Sequence, residues 1–137
     1  MNRFLLILAS ILLLFNGIGA VYGGWNLIIH PDGSSIQLPM HWLKHTPFKN
    51  YFIPGIVLFT VNGLFSFFVF ILLLLNNRYK GRLVMIEGIL LTGWILVQVL
   101  LLQTIYFLHI ILAVVGMGLI AVGILLHKQT GKALLKL

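Results

Sequence analysis

The chain has 137 residues, 61% of them apolar and 8% charged, with no cysteine and a formal net charge of +7. A soluble domain normally carries about 25% charged residues, and this much apolar surface is more than one small aqueous core hides, so its natural solvent is a bilayer. The lack of cysteine excludes disulfide-stapled folds, thiol nucleophiles and cysteine-held metals.

Four stretches are long enough to cross a hydrocarbon core, which takes about 20 apolar residues at ~1.5 Å each. They run roughly over 4–22, 54–75, 83–102 and 106–126, with a loop at 23–53 and a tail at 127–137, all within one domain of 1–137. The expected fold is an all-α membrane protein, four transmembrane helices in an antiparallel bundle.

The first span begins after Arg3 and contains Ile18-Gly19-Ala20, which also resembles a signal-peptide cleavage site. Its apolar character continues past Tyr22 to Ile29, which favours an uncleaved helix. Gly19 and Gly23 form a small-xxx-small pair suited to close helix contact.

The loop reads as a folded outer lid. Ile28-Ile29-His30 and Ile36-Gln37-Leu38 flank Pro31-Asp32-Gly33-Ser34 as a short hairpin would. Pro39 opens a helical turn through Met40 to Leu43, and Thr46-Pro47 resembles an N-cap with proline at the first helical position. His30, His41 and His45 share the loop but lack metal-ligand spacing and a carboxylate partner, so neither a metal nor a cofactor is expected.

The third and fourth spans form one apolar stretch of 44 residues from Leu83 to Leu126, broken only at Gln103-Thr104, and predict a tight helical hairpin. After them, Lys128, Lys132 and Lys136 are suited to anionic lipid, at ~1 kcal/mol per lysine near the surface.

Charge sets the expected orientation. Arg3, Arg78, Lys80, Arg82, Lys128, Lys132 and Lys136 fall on one side, and only Lys44 and Lys49 of the nine Lys and Arg fall on the other. By the positive-inside bias both termini are cytoplasmic and the 23–53 loop is outside, as in a multi-pass protein of the cell's inner membrane. The basic charge is therefore topological. No clustered basic face with base-reading groups suggests nucleic acid. Tyr22, Trp25, Trp42, Tyr51 and Tyr106 suit the outer interface and Tyr79 the inner one, whereas Trp94 falls in mid-span.

Each span collects its costliest polar residues on one seam: Ala9, Leu12, Asn16, Gly19 and Gly23; Gly55, Phe59, Asn62, Ser66, Val69, Leu73 and Asn76; Glu87, Leu91, Trp94 and Gln98; His109, Ala113, Gly116, Ile120, Gly123 and His127. Counting ~1.5 Å per residue puts Asn16 and Asn62 about 12 Å deep and Gln98 and His109 about 8 Å deep, an outer amide-imidazole layer. Glu87 falls about 6 Å from the inner surface, within reach of Arg82 or Lys128. As the only carboxylate in the hydrocarbon region it is either structurally paired or a proton or cation site.

A haem clamp would need facing histidines, a di-iron site a set of carboxylates, and hydrolases a nucleophile, base and orienter; none is present. The run Trp42-Leu43, Thr46-Pro47-Phe48, Tyr51, Ile53-Pro54-Gly55, with the later Gly93-Trp94 and Gln98, resembles uncharacterised small bacterial four-span integral membrane proteins over about half the chain. The resemblance implies the topology and gives weight to the loop, but no activity.

The expected function is non-enzymatic: an accessory subunit of a membrane-protein partner or oligomer, or a binder of a lipophilic small molecule. Asn16, Asn62, Trp94, Gln98 and His109 would line the pocket, beneath Trp42 and Phe48. The alternatives are a proton-linked transporter using Glu87 and His109, or an immunity-type membrane protein.

Overall fold

The computed structural model describes residues 3–44, 46–102 and 105–135. His45, Gln103-Thr104, Lys136 and Leu137 of the sequence reading lie outside them. Four helices dominate: α1 (Arg3–Ile29), α2 (Phe52–Leu74), α3 (Lys80–Leu102) and α4 (Phe107–Leu135). All four are long and apolar enough to cross a membrane, consistent with a multi-pass membrane protein, and no strand occurs among the described residues.

On α1, the faces separate by helical spacing. Phe4, Ile7, Ile11, Phe15, Ile18, Tyr22, Trp25 and Ile29 are exposed, while Leu5, Ala9, Leu13, Asn16, Ala20, Gly24 and Leu27 are buried. An outward stripe this apolar is stable against lipid tails and not against water. The helix continues seven residues beyond the expected end of the span and stops before Pro31, which lacks an N–H and disfavours helical geometry at His30.

Helix α2 has a π-helical stretch over Leu58–Leu64, in which the Phe65 N–H reaches the Thr60 carbonyl. Its C-terminus is closed by a Schellman motif: Asn76 adopts φ 55°, its N–H bonds the Leu73 carbonyl, and the Asn77 N–H bonds that of Leu72. Asn77 Oδ1 then accepts the Tyr79 N–H at 2.8 Å as α3 begins. Helix α4 runs through the segment expected to be a tail, and Thr130 there is buried.

Each helix packs on the next in chain order, and α4 returns to α1. Along α1 and α2, Gly24 lies against Gly55 and Phe59, Val21 against Gly63, and Gly17 against Ser66 and Phe67. A Cβ at Gly24 would sit 2.7 Å from the Phe59 nitrogen and 2.8 Å from the Gly55 carbonyl. Nothing lies within 4 Å of one at Gly19, and only a Leu58 methyl at 3.5 Å of one at Gly23. The close-contact residues of α1 are thus Gly17 and Gly24, not the expected Gly19 and Gly23. The α3–α4 contact is backbone on backbone: Gly81 meets Leu126 and His127, Gly88 meets Gly116 and Ile120, and Gly123 meets Met85. Leu13, Val69, Leu73, Val84, Leu91, Leu119 and Leu126 fill the core between them.

The segment 30–51 is folded without a hairpin. Ile28 and Ile29 belong to α1, and Pro31 to Gly33 form a turn that leads into the 3-10 turn Ser34–Ile36. Gly33 supplies φ 77° there, and Asp32 accepts the Ser34 N–H at 3.0 Å. That bond holds the Asp32 carboxyl below its usual range. A second 3-10 turn, Met40–Leu43, follows Pro39 as expected. Thr46 does not cap a helix: its hydroxyl accepts the Phe48 N–H at 3.2 Å and donates to the Leu43 carbonyl at 2.8 Å, and α2 begins only at Phe52. Leu27, Leu43 and Tyr51, with Ile36, Leu38 and Phe48, give the segment its own small core.

Candidate functional site

Among the described residues, two groupings of polar side chains bear on a site, apart from the Lys80–Asn76 side-chain bond at the start of α3. The first is a knot at the centre of the helices. Asn16 Nδ2 lies 2.8 Å from Glu87 Oε1, 2.9 Å from Ser66 Oγ and 3.3 Å from the Asn62 carbonyl. Ser66 donates its hydroxyl to the same Glu87 oxygen at 2.9 Å. One amide nitrogen therefore ties α1 to α2 and α3. Asn16, Asn62, Ser66 and Glu87 are all buried.

This arrangement corrects the two-layer picture. Glu87 is partnered by Asn16 and Ser66, while Arg82 and Lys128 are exposed. The depth count misplaced it because α1 and α3 extend past the expected ends of their spans, so Asn16 and Glu87 come to one level. Glu87 Oε2 and both side-chain polar atoms of Asn62 are buried without a hydrogen-bond partner. Asn62 sits in the π-helical stretch of α2, where backbone geometry is altered; such bulges recur at functional sites.

The second place is a cavity of about 520 Å³ between the 30–51 segment and the helices, in the 300–1,000 Å³ range of small-molecule pockets. Asn16, Trp42, Phe48, Trp94, Gln98 and His109 all line it, six of the seven pocket residues expected from sequence. Asn62 is not among the lining residues; its carbonyl instead supports Asn16 from behind. The rest of the wall is almost wholly aliphatic or aromatic, and no Asp, Glu, Lys or Arg contributes among the described residues. Trp94, out of place as an interfacial residue, is accounted for as part of this wall.

The roof is fastened by aromatics. Trp42 stacks on Tyr106, with ring centroids 4.5 Å apart. Tyr51, also in the wall, donates its hydroxyl to the Pro39 carbonyl at 2.6 Å, and its N–H bonds the Pro31 carbonyl at 2.8 Å. Sequence reading placed Tyr51 only as an interfacial aromatic. Its signal was the phenol in a segment crowded with prolines, whose missing N–H groups leave the segment's carbonyls short of backbone donors.

His109 is set by the start of α4. Its N–H bonds the Tyr106 carbonyl at 2.9 Å, and its Nδ1 accepts the Tyr106 N–H at 3.1 Å, the place that the N3 glutamate side chain takes in a capping box. An accepting Nδ1 places the proton of the neutral ring on Nε2. Neither that N–H nor the Gln98 amide takes a hydrogen bond among the described residues. No hydrogen bond joins His109 to Glu87. Compared with known protein families, curated proteins and solved structures, the chain matches none.

Proposed function

We propose that the protein is a non-enzymatic binder of a lipophilic small molecule, held in the cavity beneath the 30–51 segment. The observation that carries this reading is the apolar cavity of about 520 Å³ with Asn16, Gln98 and His109 in its wall. A pocket with a few convergent polar groups in apolar surroundings orients a ligand while the hydrophobic effect retains it.

The reading includes a topology. The four spans run antiparallel, supported by Gly24 beside Gly55 and Gly17 beside Ser66, and by Gly81 beside His127 and Gly88 beside Ile120. Both termini are cytoplasmic, the 30–51 segment is extracytoplasmic, and the membrane is a bacterial inner membrane, as the cation distribution and the loop resemblance suggest. As an accessory subunit, the protein would present the bound molecule to a membrane-protein partner.

Native mass spectrometry of the purified protein tests the reading. Wild type retains a lipophilic adduct from its membrane. Gly19→Phe, at a lining position with open space at its Cβ, fills the cavity and loses the adduct without unfolding. An equal adduct on both proteins contradicts the reading.

A second reading, a proton-linked carrier, is favoured by one observation: the buried Glu87 Oε2 without a partner. Glu87→Gln would abolish proton-coupled flux in reconstituted vesicles if Glu87 carries it. Intact coupled flux removes this reading.

A further inference from the structure

Asn16, Gln98 and His109 differ in what they present to the cavity, and the difference specifies the ligand. The His109 Nδ1 lone pair is taken by the Tyr106 N–H at 3.1 Å, so the ring offers the cavity a donor, Nε2–H, and no acceptor. The Asn16 nitrogen is taken by Glu87, Ser66 and the Asn62 carbonyl, and Gln98 brings an amide with no hydrogen-bond partner among the described residues. A ligand oxygen in the cavity would give the Nε2–H an acceptor.

The wall excludes the commoner membrane head groups. Phosphate and carboxylate need a cation, and an amine needs an anion, yet the described residues of the wall include none. The occupant's inserted end is therefore neutral. Alcohols such as sterols and polyprenols are neutral too, and the Gln98 carbonyl can accept from their hydroxyl, but they lack the planar conjugated ring that a wall with Phe15, Phe48, Trp94 and Tyr106 accommodates. The cavity volume of about 520 Å³ admits a substituted ring, and Phe15, Trp42, Phe48, Tyr51, Trp94 and Tyr106 make its wall rich in aromatic side chains.

We infer that the cavity takes a neutral membrane lipid with a conjugated ring carbonyl, the chemistry of isoprenoid quinones, with His109 Nε2–H donating to the carbonyl oxygen. This rests on the binding reading above and narrows it to a class. Gln98 supplies the second polar contact, and the isoprenoid chain follows the apolar wall.

The test uses the full chain in lipid nanodiscs, with a short-chain isoprenoid benzoquinone and the isoprenoid alcohol of equal chain length as probes. The expected result is at least tenfold tighter binding of the quinone, with a carbonyl stretching band lowered in frequency by the hydrogen bond. His109→Phe should remove both the preference and the shift, and Gln98→Leu should weaken quinone binding with the shift retained. Equal affinities for the two probes would overturn the ring-carbonyl assignment and leave the binding reading standing. No binding of either probe would also overturn it, and the co-purified adduct then judges the binding reading separately. Should His109→Phe fail to fold, an unshifted carbonyl band in the wild-type complex overturns the proposal on its own.

Discussion

Asn16 on α1 donates its amide N–H to Glu87 Oε1 on α3 at 2.8 Å, and both residues are buried. Asn16 also lines the cavity, so the same side chain that ties the helices together forms part of the pocket wall. The wall is thereby fixed from behind by Ser66 and Glu87, which do not line it.

Removing that tie should cost stability. Asn16→Leu deletes the donor to Glu87 and Ser66 and should destabilise the protein by about 1–3 kcal/mol, the cost of leaving buried polar groups unpaired. Ser10→Ala, which removes only a local bond to the Leu6 carbonyl, should change stability by less than about 0.5 kcal/mol. Reversible unfolding in mixed micelles measures both, and equal effects would contradict the central role of the knot.

Glycine substitutions should separate contact positions from open ones. Gly24→Ala places a methyl 2.7 Å from the Phe59 backbone and should cost about 1–3 kcal/mol by overpacking. Gly19→Ala meets nothing within 4 Å and should stay within about 0.5 kcal/mol of wild type. Thermal unfolding of the two variants provides the comparison; the reverse order would restore the small-xxx-small register read from sequence.

Tyr51→Phe should loosen the roof. The lost bond to the Pro39 carbonyl is worth about 0.5–1.5 kcal/mol, and the expected readout is faster proteolysis within 39–50. Burial, and then nearby Tyr106, hold the Tyr51 phenol above its ordinary value of 10.0. A raised pKa on an acid means the folded state keeps the proton longer. Its contribution is therefore intact below about pH 10 and is lost as pH rises through the folded value. Absorbance titration should show a late phenolate step in wild type that Tyr51→Phe removes; an unchanged titration contradicts this environment for Tyr51.

Much of this was legible in the residues themselves. Asn, Gln, His and Glu are costly enough in hydrocarbon that their positions marked the inward seams, and six of seven expected pocket residues share one cavity. Depth was less legible, because helices that are apolar all round carry no signal for where a span ends, and α1 and α3 run past the expected limits. The misread hairpin has a related cause. Ile28-Ile29 is β-branched and followed by a turn sequence, but it continues an established helix, and extending a helix is easier than nucleating a two-stranded ribbon. The π-helical stretch of α2 left no sequence pattern, since one extra residue per turn alters the phase without altering composition.

The most direct measurement of the central claim is a high-resolution density map of the protein purified with its native lipids. The account expects continuous density from Trp94 to His109 beneath Trp42, with an atom within hydrogen-bond distance of His109 Nε2. A cavity collapsed onto its own side chains, or one holding only discrete waters, would contradict it.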